Sequence, residues 1–187
     1  MIGWGQESAQ GIFLQVCYNN CIIKEDGTEK NMAKFGFLSV LEEELDRHLD
    51  YDFAMDWDKK NHAVEVTFVL EAQNTGQVET IDDQGEVSAE DIIFEDVVLF
   101  YNPQKTQFSP EDYLAAIPYE PKKGLSREFL AYFAETLNDV ATEGLSDLMD
   151  FLADETAVDF SLTWDAVAFE KGRADLVETE FFGYPRY

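Results

Sequence analysis

Histidine and cysteine are scarce, with two of each among 187 residues. Hydrolysis by a serine or cysteine nucleophile needs a histidine oriented by a carboxylate, and His48 and His62 are all this chain offers. Cys17 and Cys21 have no second pair or histidine nearby, so no closed zinc site assembles from them and they read as free thiols. Glycine-rich phosphate cradles are missing too: no G-x-S-x-G, P-loop or G-x-G-x-x-G run is present, which argues against dinucleotide and nucleoside-triphosphate enzymes of those types. Positive charge is the next shortage. Thirteen Lys and Arg stand against 39 Asp and Glu, a formal charge of −26, so the chain repels phosphodiester backbones and anionic membranes rather than binding them through a basic face.

Long apolar runs are also lacking. Residues 12–23 are apolar but number twelve and include Gln15, Asn19 and Asn20, whereas a membrane span needs about 20 residues. No Lys or Arg precedes them and no small-residue cleavage site follows, so a secretory signal fits poorly and a cytoplasmic location is expected.

What is present suffices for a core, at 45% hydrophobic and 14% aromatic. The excess charges average roughly 19 Å apart on a surface of this size, beyond the ~8 Å screening length of physiological salt. Acidity therefore bears on partners and solubility more than on architecture. Residues 1–31 differ in character from the rest and read as an N-terminal extension, appended or upstream-translated, or else as an ordinary hairpin. Residues 32–187 read as a single domain.

Within that domain, Leu38, Leu41, Leu45 and Leu49 recur at helical spacing and predict a helix over 34–49. Period-two alternation through Tyr51, Phe53, Met55 and Trp57, a polar break at 58–61, and renewed alternation through Val64, Val66, Phe68 and Leu70 predict a hairpin. Residues 73–91 read as a long acidic loop with a short β excursion at 77–81. The run 92–101, apolar on both faces, fits an interior strand. Ser109 and Pro110 open a short helix that Pro118 stops, and Ser126 caps a long helix that Gly144 breaks before a second run to Asp154. A half-buried strand at 158–164 and a closing helix at 165–179 complete the series. Hairpins without a βαβ rhythm make the fold class α+β, an antiparallel sheet of about four to five strands with helices packed mainly on one face.

Two patches stand out. Glu128, Glu135, Asp139, Glu143, Asp147, Asp150 and Asp154 recur every three, four or seven residues along one side of the long helices. Each four-residue step rises about 6 Å, comparable to the spacing of phosphates along a nucleic-acid strand. Glu135, Asp139, Glu143 and Asp147 are thus a candidate face for a basic, nucleic-acid-binding partner, the alternative being an ordinary solvated helix face interrupted at Gly144. The second patch joins Lys122, Lys123 and Arg127 with Tyr119 at a helix start, where free N–H groups favour an anion; the alternative is pairing with the chain's own acids. Residues 56–61 superficially resemble the start of a calcium loop but carry Asn61 and Thr67 where Gly and Glu belong, so a polar turn is expected and no metal site is assigned. The aromatic tail, Phe181 to Tyr187, is expected to pack back onto its own sheet.

Residues 32–38 (Met-Ala-Lys-Phe-Gly-Phe-Leu), 51–60, 117–129 and the final Tyr-Pro-Arg-Tyr resemble a family of short acidic proteins from low-GC Gram-positive bacteria, known as a domain of unknown function. The resemblance covers residues 32–187. It implies a bacterial cytoplasmic setting and Met32 as the usual start, and it carries over no catalytic residue or cofactor. The function expected is therefore a non-enzymatic interaction protein engaging a basic partner. The alternatives are a small carboxylate-based or cation-dependent hydrolase, and a binder of an anionic metabolite at Lys122, Lys123 and Arg127.

Overall fold

Heptad-like spacing of leucines gives the first helix, α1 (Phe37–His48), which buries Phe37, Leu38, Val40, Leu41 and Leu45. It belongs to a computed structural model that describes residues 13–14, 35–76, 79–82, 87–88, 90–154 and 156–185. Strands in chain order are β1 (Phe13–Leu14), β2 (Phe53–Asp58), β3 (Ala63–Ala72), β4 (Thr80–Asp82), β5 (Val87–Ser88), β6 (Ile92–Tyr101), β7 (Ala115–Pro118), β8 (Leu125–Ser126) and β9 (Phe181–Phe182). The main sheet has the order β2-β3-β6-β7, with β1-β4-β5 and β8-β9 as two small sheets.

The predicted hairpin is there. Phe53 pairs with Phe68 and Asp58 with Ala63, and β3 pairs antiparallel with β6 from Ala63↔Tyr101 to Ala72↔Ile92. Strict alternation sends Val64, Val66, Phe68 and Leu70 of β3 and Ile92, Phe94, Val98 and Phe100 of β6 to one face, where they join α1 and the long helix α2 (Arg127–Ala153) in one core. Phe100 is wedged between Phe37 and Phe133, ring centroids 6.3 and 4.9 Å away. The short helix α3 (Ala166–Ala174) lays Phe169 on Phe129 and Tyr132 of α2. The fold is α+β.

Four local expectations need correction. Ser109 and Pro110 start only a single 3-10 turn (Pro110–Asp112), and residues 115–118 instead form β7. Ile117 precedes a proline, which steers it toward extended backbone, and β7 runs parallel to β6, so the sheet is mixed rather than purely antiparallel. Pro118 has no N–H to donate, which suits its place on the sheet edge.

Gly144 does not break the long helix, and α2 continues for 27 residues. The glycine is buried against the strap, and a Cβ there would lie 2.1 Å from Leu162 Cδ2 and 3.5 Å from Leu70 Cδ1. Among the described residues, 158–164 join none of the three sheets, and only Asp159 makes an isolated β-bridge. They form an extended strap whose Phe160 and Trp164 pack edge-on against Phe94 and beside Phe133. Period-two burial reports one covered face; it does not require a hydrogen-bonded neighbour. The helix expected over 165–179 stops at Ala174.

A β excursion lies at Thr80–Asp82, overlapping only the end of the expected 77–81, of which residues 77–78 lie outside the described residues. Apart from Phe13 and Leu14, the extension 1–31 with Cys17 and Cys21 lies outside the described residues.

Over residues 181–185 the tail packs back as expected, and residues 186–187 lie outside the described residues. Phe181–Phe182 pairs with β8, and Tyr184 stacks on Tyr119 at 5.1 Å and accepts a hydrogen bond from Trp57 Nε1 at 2.7 Å. Two glycines with positive φ admit this segment: a Cβ at Gly36 would lie 2.1 Å from Gly183 O, and one at Gly124 would lie 1.7 Å from Phe182 O.

Candidate functional site

A continuous α2 sets the geometry of the acidic row. At 100° per residue, positions 135, 139, 143 and 147 advance slowly around one side of the helix, so Glu135, Asp139, Glu143 and Asp147 are all exposed and follow one another along its length. From Glu135 to Asp154 the row spans about 28 Å. No bend at Gly144 interrupts it.

The members are not equivalent. Glu128 accepts from Thr179 Oγ1, Thr179 N and Glu180 N, which holds the tail against the helix start, and these bonds, the Thr179 hydroxyl foremost, depress its carboxyl to about 2. Asp154 ends α2 by donating its N–H to Phe151 O, while its carboxylate accepts from Thr156 N and Oγ1 at 2.9 and 2.6 Å and is lowered chiefly by that hydroxyl. Glu135 Oε1 lies 3.5 Å from His48 Nδ1. Among the described residues, Asp139, Glu143 and Asp147 form no ion pair.

Lys122, Lys123, Arg127 and Tyr119 do not converge on one anion site. Arg127 Nη1 instead donates to Glu44 Oε1 at 2.6 Å and Glu43 Oε2 at 3.0 Å, while its Nε donates to Glu180. Arg47 adds bonds to the same two glutamates, so Glu44, 1% exposed, is a buried carboxylate clasped by two guanidinium groups. The hydrogen bond from Arg127 holds the Glu43 carboxyl below its ordinary value, against the opposing effect of burial.

Nor are the helix-start amides open: Arg127 N donates to Glu180 O, Phe129 N donates to Ser126 Oγ at 3.0 Å, and Gly124 N donates to Glu120 O. Ser126 Oγ in turn donates a hydrogen bond to Glu178 Oε2 at 2.6 Å. Tyr119 is 2% exposed, with its hydroxyl donated to His62 O, and Lys123 Nζ sits 4.0 Å over the Phe181 ring.

The histidines are held in structural settings. His48 lies between Glu44 and Glu135, each 3.5 Å away. His62 takes φ 54° in the turn before β3, where its Nε2 is 3.1 Å from Lys105 Nζ; burial, then that ammonium, lowers its pKa. The calcium-like run is a hairpin turn in which Asp58 Oδ1 accepts from Lys60 N and Asn61 N. Among the described residues no three His, Cys, Asp or Glu gather as a metal site would require, and no helix is long and apolar enough to cross a membrane.

One acid went unread in the sequence. Asp96 shares the strand parity of Phe94 and Val98 and therefore occupies the helix-facing side of β6. Burial raises its pKa to about 6, against backbone hydrogen bonds from Val97 and Leu114 that favour the charged form. The only signal for it was a charge breaking an apolar run.

No curated protein matches the chain. Among solved structures it is similar to a conserved protein of unknown function from Enterococcus faecalis, at 43% identity and a TM-score of 0.71, over 87% of this chain and 100% of that one. The family described as "Protein of unknown function (DUF3013)" matches residues 32–186, and the chain, with its mixed sheet, its unbroken α2 and its tail clasped over the core, belongs to that family.

Proposed function

We propose that the protein is a non-enzymatic cytoplasmic interaction protein that engages a basic partner through the acidic side of α2. The observation that carries this reading is the uninterrupted helix that presents Glu135, Asp139, Glu143 and Asp147 to solvent in one row. A 27-residue helix packed on a sheet is stiff, so a cationic surface meets these carboxylates in a fixed array and pays little ordering entropy. The four-residue rise of about 6 Å suits a partner whose groove is shaped for a phosphate backbone. That partner is a nucleic-acid-binding protein, and the acidic helix competes with its DNA.

The test is co-purification at low salt from the native host, followed by competition with DNA. Wild-type chain should retain a basic protein in stoichiometric amount, and the triple charge reversal Glu135→Lys, Asp139→Lys, Glu143→Lys should release it. Absence of any stoichiometric partner for the wild type overturns the reading, and unchanged competition by the triple variant removes the role of α2.

A further inference from the structure

Among the described residues the cations are not spread evenly. The register pairs Ala63 with Tyr101, and β7 runs beside β6 with Pro118 opposite Tyr101. The turn bearing Lys59 and Lys60, the loop bearing Lys105 and the turn bearing Lys122 and Lys123 therefore meet at one end of the main sheet. Of the six described lysines only Lys171 lies elsewhere, and Arg47, Arg127 and Arg173 each face carboxylates. The acidic row runs the other way. Phe133 of α2 meets Phe100 near the lysine end, whereas Phe151 meets Phe160, and through it Phe94, toward the far end.

At the lysine end lies an open cleft of about 290 Å³, lined by Asn102, Pro103, Gln104 and the run Pro118 to Pro121, which includes Tyr119 and Glu120. That volume suits a small metabolite. Asn102 is 2% exposed, and its Oδ1 accepts from Gln104 N at 2.9 Å. A backbone N–H needs an acceptor, so this bond fixes which arm of the carboxamide is oxygen and leaves Nδ2 on the other. Nδ2 has no hydrogen-bond partner among the described residues. No described side-chain polar atom is sealed from solvent without a partner, so this donor keeps contact with solvent, and Asn102 is one of the residues that line the cleft. Lys105 and Lys122 each follow a lining residue directly in the chain, and both are exposed.

We propose that this cleft binds a small hydroxylated oxyanion, a phosphate ester or a hydroxy acid, with Asn102 Nδ2 donating to an anionic oxygen and Lys105 and Lys122 balancing its charge. Glu120 repels a bare anion but accepts from a hydroxyl, which is why the ligand carries one. The site differs from a helix-start site at Arg127, whose guanidinium and neighbouring amides are already engaged.

The test follows the Asn102 side-chain amide in ¹H–¹⁵N spectra of the full chain, titrated at constant ionic strength with glycerol 3-phosphate in one arm and malate in the other. A saturable shift of the Asn102 pair is expected with at least one probe; response to the phosphate alone assigns a phosphate ester, and to malate alone a hydroxy acid. Asn102→Asp keeps the acceptor for Gln104 N but replaces the donor by a charge, and weakens binding roughly tenfold or more. If that variant does not fold, the paired surface changes Lys105→Gln and Lys122→Gln are read instead and weaken binding in the same sense. No saturable shift with either probe, or undiminished affinity in the variant read, overturns the proposal. Either result leaves the reading of α2 untouched.

Discussion

Leu162 Cδ2 stands 2.1 Å from where a Cβ on Gly144 would be, so the strap of residues 158–164 and the middle of α2 are fitted to each other through the absence of one carbon. In an isolated helix Gly→Ala is favourable by about 1 kcal/mol. Here the half-buried Leu162 side chain must turn aside to admit the Cβ, so Gly144→Ala should forfeit that gain and destabilise by up to about 1 kcal/mol, the low end for overpacking. Urea unfolding checks this, and a Leu162→Ala background should make the same change neutral or favourable. Additive effects of the two substitutions would deny the contact.

Asp96 predicts a pH dependence of definite sign. Its folded pKa of about 6 exceeds the ordinary 3.8, so the folded state holds the proton more tightly than the unfolded chain. For this group stability is fully present below about pH 4 and is lost as pH rises to about 6, a difference of about 2–3 kcal/mol. Asp96→Asn should therefore raise stability at neutral pH and flatten the profile between those limits, as read from melting temperature against pH.

Ser126 joins two elements with one hydroxyl, accepting from Phe129 N and donating to Glu178. Ser126→Ala should cost about 1–2 kcal/mol, the range for loss of a helix cap. Glu178→Gln should cost less, since it leaves the cap intact. Chemical denaturation of both variants separates the two contributions.

Removal of Arg127 leaves Glu44 buried with Arg47 as its remaining guanidinium partner. Arg127→Ala should destabilise by about 2–4 kcal/mol because half of the clasp on a buried charge is gone. The pair Arg127→Met, Glu44→Leu should recover much of that loss, since apolar residues of similar volume replace a buried ion pair at little cost. Equilibrium unfolding of the single and double variants is the measurement.

The hairpin, α1 and the core-facing parity of β3 and β6 were legible because each is written in a local period of two or 3.6. What escaped has a nonlocal cause. The Ser109-Pro110 signal is genuine, yet tertiary pairing with β6 takes residues 115–118 into the sheet. Gly144 read as a breaker because nothing in its neighbourhood announces Leu162, eighteen positions further on. Phe160, Leu162 and Trp164 alternate like a strand since alternation records burial alone. At the candidate sites, the spacing of Glu135, Asp139, Glu143 and Asp147 was readable, whereas the gathering of Lys59, Lys105 and Lys122 at one end depends on strand register. The engagement of Arg127 with Glu43 and Glu44 likewise depends on how α1 lies against α2.

The clasp of residues 181–185 over Gly36 and Gly124 also imposes an order on folding. Phe37 N donates to Gly183 O, and Tyr184 closes over Phe37, Tyr119 and Trp57. Those rings belong to segments synthesised well before their lid. During synthesis the aromatic seam of Phe37, Trp57 and Tyr119 therefore stays uncovered until residues 181–185 have been added to close it.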